Sequence, residues 1–67
     1  MTHDDKVMLE TLIDRYNLET VVSYLSTIAF EKQSHIETTY DDQPLANMWK
    51  EAGVILDSAE TSIRQAW

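Results

Sequence analysis

The chain has 67 residues, with 12 acidic against five basic side chains for a net charge of −7, no cysteine, one glycine and one proline. These counts exclude a disulfide framework, a thiolate metal site, a thiol nucleophile and the glycine-rich phosphate loops of nucleotide enzymes. An acidic surface argues against non-specific tracking of phosphates, and no apolar run approaches the roughly 18–20 residues of a membrane span.

The N-terminus, Met1-Thr2-His3-Asp4-Asp5, lacks the charged-then-apolar layout of a signal peptide, so the sequence reads as a single cytoplasmic domain over residues 1–67. A domain of this size buries only about 60% of its unfolded surface and is marginal alone. It needs a staple, a metal, very regular packing or a partner subunit. Without cysteine, packing and self-association lead. Disorder fits poorly, because Leu, Ile, Val and Phe make up 16 of the 67 residues and fall in helical register.

The first predicted helix spans 4–16. Met8, Leu9, Leu12, Ile13 and Tyr16 recur at helical spacing, and Asp4 and Asp5 suit a helix N-terminus. Asn17 is the expected left-handed stop, with Leu18 folding back towards Ile13. The second helix spans 19–38 with the stripe Leu18, Val21, Val22, Leu25, Ile28, Ala29 and Ile36, interrupted by Lys32. Thr38-Thr39-Tyr40-Asp41-Asp42 reads as a turn. The third helix, 43–66, has Pro44 in its first turn, where the missing N–H costs nothing. Its heptad stripe is Leu45, Met48/Trp49, Ala52, Ile55/Leu56, Ala59, Ile63 and Ala66/Trp67.

A short connection between the second and third helices predicts an antiparallel hairpin. Folding it about residues 40–41 places Ala29 opposite Ala52, Leu25 opposite Leu56 and Ile36 opposite Leu45, with Ala52, Ala59 and Ala66 as a close-approach seam. The expected fold class is all-α: a short N-terminal helix plus an antiparallel helical hairpin, assembling as a dimeric helical bundle. In this register Lys32 falls opposite Met48 and Trp49. It either packs its methylenes on the core with the ammonium in water, or sets the ammonium on the Trp49 ring for roughly 0.5–2 kcal/mol.

No catalytic, cofactor or metal residue is assigned. Glu31 and His35 are four apart on one helix, but a di-iron bundle requires Glu-x-x-His motifs on two helices, which are missing. Asp57 and Glu60 lack the sheltered pocket that acid–base chemistry needs. The stretch 12–25 has a helix-turn-helix outline, yet its second helix offers Glu19, Thr20, Ser23 and Ser26 and no cation before Lys32. A DNA-binding regulator is therefore the third of three readings.

The run Leu12-Ile13-Asp14-Arg15-Tyr16-Asn17-Leu18-Glu19-Thr20-Val21-Val22, then Glu31-Lys32 with His35-Ile36, then Leu45-Ala46 with Met48-Trp49-Lys50 and Ala52, resembles small uncharacterised bacterial and phage helical proteins. That resemblance implies no activity, catalytic residue or cofactor.

The leading expectation is a non-enzymatic protein that acts by protein–protein interaction, as adaptor, regulator or inhibitor, and forms a homodimer. Its expected partner-binding residues are Tyr24, Phe30, Trp49, Gly53, Val54 and Trp67. Tyr24, Phe30 and Val54 are left off the packing stripes, and Trp67 is aromatic surface at the end of the sequence. Mid-helix Gly53 either makes room for the Trp49 ring or admits the close approach of another helix. The alternative is a phage-type acidic inhibitor that occupies a basic nucleic-acid groove, with Asp41, Asp42, Glu51, Asp57 and Glu60 imitating phosphates.

Overall fold

The computed structural model describes residues 1–66, so Trp67 and the role expected of it lie outside the described residues. The fold is all-α, with α1 at His3–Arg15, α2 at Leu18–Thr39 and α3 at Gln43–Ala66. Each helix begins on a side chain that satisfies its free amides. Thr2, rather than Asp4, caps α1. Its hydroxyl accepts from the Asp5 amide at 3.2 Å, and the Asp5 carboxylate accepts from the Thr2 amide at 3.3 Å, a reciprocal pair. The Asp42 carboxylate accepts from the Leu45 amide at 3.1 Å and so opens α3.

Asn17 departs from the expected left-handed stop. Helix α1 ends on Tyr16, whose amide donates to the Leu12 carbonyl, while Asn17 takes φ 147° and ψ 168° and caps the next helix. Its side-chain oxygen accepts from the Thr20 amide at 2.7 Å. This backbone region is almost confined to glycine and costs on the order of 1–3 kcal/mol for other residues. A short amide side chain that caps α2 from there offsets part of that cost. Asp41, at φ 51°, takes the left-handed conformation between α2 and α3.

Helices α2 and α3 lie side by side, and their contacts run in opposite senses along the two chains. Glu19 reaches Arg64, Ser26 reaches Gly53 and Asp57, and Glu37 reaches Gln43. The line of closest approach keeps Val22, Ala29 and Ile36 of the expected α2 stripe but leaves out its large residues Leu25 and Ile28. It runs through Val22, Ser26, Ala29 and Ile36 on α2 and through Ala46 and Gly53 on α3, all buried. Small side chains there let the backbones come close, so that the Ser26 hydroxyl donates to the Gly53 carbonyl at 3.1 Å and to the Asp57 carboxylate. With one hydrogen to share, the hydroxyl favours the charged acceptor. The expected alanine seam is correspondingly displaced: Ala52 and Ala59 are half-buried and Ala66 is exposed.

Helix α1 buries no residue and touches α2 alone. The molecule is a slab of 37 × 30 × 14 Å in its Cα extents.

Candidate functional site

Enzyme-like concavity would need walls from more than one element. A depression of about 490 Å³ runs along α3 between Asn47, Lys50, Glu51, Val54 and Ile55. A depression walled by a single helix lacks the enclosure of a ligand pocket. Glu31 and His35 sit exposed beside Ile28 and Lys32, and the His35 ring meets Tyr40 edge-on at 5.9 Å. Among the described residues, no group of three or more His, Asp or Glu side chains is placed to hold a metal ion. Lys32 is exposed. Among the described residues a cation lies over the Tyr16 ring (Arg15, 5.7 Å), and none lies over Trp49.

Three of the five carboxylates expected to imitate phosphates are occupied within the chain. Asp42 caps α3, Asp57 accepts from buried Ser26, and Glu60 accepts from Arg64 at 2.9 Å. Asp41 and Glu51 are exposed, one in the turn before α3 and the other on α3's outer side. The Arg64 guanidinium, which also bonds Glu19 at 2.6 Å, is held above its ordinary pKa by that bond and by the Glu19 and Glu60 charges. The acidic groups thus form no single bare row.

The expected aromatic patch is also divided. Phe30 and Gly53 are used inside the α2–α3 contact, not presented to a partner. The Phe30 ring lies so close over Gly53 that a Cβ there would stand 2.8 Å from Cζ. Gly53 is buried by α2, so the close approach it allows is within the chain, and the room it leaves is filled by Phe30 and not by Trp49. Tyr24 and Val54 are exposed, but Val54 lies among the Asn47, Lys50 and Glu51 side chains. Trp49 is half-buried at the edge of a shallow groove of about 250 Å³ with Leu45, Met48 and Ala52.

What the structure does gather is a different apolar surface. At about 100° per residue, Leu25, Ile28 and Lys32 fall to one side of the buried line Val22–Ser26–Ala29. Leu45 and Ala52 fall to the matching side of the line Ala46–Gly53, with Met48 beyond them in the same shallow groove. Ile55, about 200° round from Gly53, points away from α2 and lines the depression with Asn47, Lys50, Glu51 and Val54. Because the two helices' contacts run in opposite senses, the sides bearing Leu25 and Ile28 and bearing Leu45 and Met48 form one continuous face. The opposite face carries Ser23, Thr27, Ser34, Asn47, Ser58 and Thr61. On the apolar face Leu25 is 42%, Ile28 47% and Met48 66% exposed. Reading the stripes as buried core missed this surface. The signal that could have found it was the row of small residues, Ser26, Ala29, Ala46 and Gly53, which draws the helices together and displaces the large side chains sideways.

Among the described residues no helix is long and apolar enough to cross a membrane. No protein-family model, curated protein or solved structure matches the chain.

Proposed function

We propose that this is a non-enzymatic interaction protein, an antiparallel α2–α3 hairpin that works by presenting one apolar face to another polypeptide. The observation that carries the reading is the segregation of the two faces. Large apolar side chains at Leu25, Ile28, Leu45 and Met48 stand open on one side, and hydroxyl and amide groups such as Ser23, Thr27, Asn47 and Ser58 occupy the other. Continuous exposed apolar area of this kind marks sites that a protein covers. Trp49, at the edge of this face, is the one residue of the expected patch, among the described residues, that belongs to it. The surrounding carboxylates set orientation and association rate rather than affinity. Nothing in the arrangement favours phosphate imitation over this reading, since Asp42, Asp57 and Glu60 already serve the fold.

A photo-crosslinking side chain placed at Met48, on the apolar face, or at Thr27, on the polar face, tests the reading in cells that produce the protein. Position 48 is expected to give a discrete protein adduct and position 27 none. Equal labelling from both positions, or no adduct from position 48, overturns it.

A further inference from the structure

We infer that the occupant of the apolar face is a second copy of the same chain, laid face to face across a two-fold axis to make a four-helix core from two α2–α3 pairs. This rests on the reading of the face given above and names its partner.

Area calls for a protein partner of ordinary interface size, and the thin core makes a second copy the one that is always at hand. A compact folded monomer of 7.8 kDa exposes about 4,400 Å² by the usual scaling of surface with mass. This chain exposes 5262 Å², an excess of about 900 Å², close to the roughly 800 Å² per partner that a standard protein interface buries. The chain's interior tells the same story from the other side. The buried hydrophobic residues are Val22, Ala29, Ile36 and Ala46, and among the described residues no large side chain is fully buried. Two alanines, a valine and an isoleucine are too little core for an independent domain of this length without a staple or metal. The missing core is present in the chain but faces outward.

Shape and chemistry agree. The slab is 14 Å thick in its thinnest Cα extent, so a second layer stacked on the apolar face yields a two-layer helical body, the ordinary way to bury one-sided amphipathic helices. A two-fold pairing asks for a self-complementary surface, and a mainly apolar face meets itself, with the Lys32 of each copy laying its methylenes along the face and its ammonium at the rim. The exposed stripe of α1, including Met8, Leu9 and Leu12, contributes to the same excess area.

The charge balance supplies a sign. Each copy carries −7, so the two copies repel at long range and added salt strengthens their association. Docking of an acidic surface on a basic partner has the opposite dependence.

The test is sedimentation equilibrium of the full chain from micromolar to submillimolar concentration, at low and at high salt. The expected result is a species of twice the 7.8 kDa chain mass whose dimer fraction rises with salt. Met48→Glu is expected to weaken dimerisation by more than about a hundredfold, because each carboxylate would be buried unpaired and the axis repeats it. Thr27→Glu, on the polar face, is expected to leave the dimer intact. A wild-type chain that stays monomeric throughout the range overturns the inference whatever the variants do. Unchanged dimerisation in Met48→Glu overturns this choice of face. If the wild type is monomeric while a crosslinker at position 48 captures another protein, the second copy is refuted and the interaction reading stands. If it is monomeric and position 48 captures nothing, both are refuted.

Discussion

Replacing Gly53 with alanine sets two effects of similar size against each other. A methyl group at a mid-helix glycine favours the helix by about 0.8–1.0 kcal/mol, through lost backbone entropy in the unfolded chain. Here that methyl would stand 2.8, 2.9 and 3.0 Å from three atoms at the tip of the Phe30 ring. Carbon atoms prefer about 3.5–4.0 Å, so the ring must retreat by more than half an ångström and surrender part of its packing. Overpacking of this degree costs about 1–3 kcal/mol. The ring is half-buried and can move, which places the cost at the lower end. Gly53→Ala is therefore expected to leave stability unchanged or reduced by up to about 2 kcal/mol, instead of raised. In a Phe30→Leu background the ring tip is gone, and the same substitution is expected to stabilise by about 1 kcal/mol. The coupling between the two positions, about 1–3 kcal/mol, is the quantity to measure. Urea unfolding followed by far-UV circular dichroism, at one fixed protein concentration, supplies all four corners of the cycle. An equal effect of Gly53→Ala in both backgrounds would refute the contact, and with it the claim that Gly53 serves α2 of its own chain.

Other substitutions probe the helix ends and the charged tie across them. Asn17→Gly relieves the backbone at φ 147° and loses only a few tenths of a kcal/mol of capping, so a net gain of about 1 kcal/mol is expected; Asn17→Ala keeps the strain, drops the cap and is expected to destabilise by about 1 kcal/mol or more. Asp42→Ala removes the acceptor for the Leu45 amide and is expected to cost about 1 kcal/mol in thermal or urea unfolding. Were Asp42 a bare phosphate imitator, the substitution would leave stability unchanged. Arg64→Gln breaks the exposed tie to Glu19 and Glu60, and its destabilising effect should shrink in high salt. Since the bond to Glu19 raises the arginine pKa above its ordinary value, the arginine's side of this contribution is lost only as pH climbs beyond that raised pKa. Deprotonation of Arg64 therefore adds no pH dependence to unfolding near neutrality.

The helix limits were legible because their signals are local. Apolar spacing marks three helices, Pro44 marks a first turn, and the Thr38–Asp42 cluster marks a break, and the observed ends lie within one residue of those read from the sequence. The side of each helix that packs was legible in part, since Val22, Ala29 and Ile36 were read as core and are buried, but its centre line was not. Hydrophobic periodicity ranks Leu25, Ile28, Met48 and Ile55 as core and passes over Ser26 and Gly53. The packed line is chosen instead by how closely two backbones can approach, and that favours small side chains. Gly53 was singled out as a place for close approach. Only the three-dimensional arrangement shows that the approaching helix is α2 and that Phe30 fills the space. Asn17 was read for its tolerance of unusual backbone, which it has, while its capping of α2 follows from the Thr20 amide lying within reach.

The central claim is that the face bearing Leu25, Ile28, Leu45 and Met48 is covered by a second copy. Isotope-filtered NOE spectroscopy on a mixture of labelled and unlabelled chains observes that contact directly. The account predicts intermolecular cross-peaks from the methyl groups of these four residues, and none from Val54 or Thr27. Absence of intermolecular peaks at submillimolar concentration, or peaks arising from the polar face instead, would contradict it.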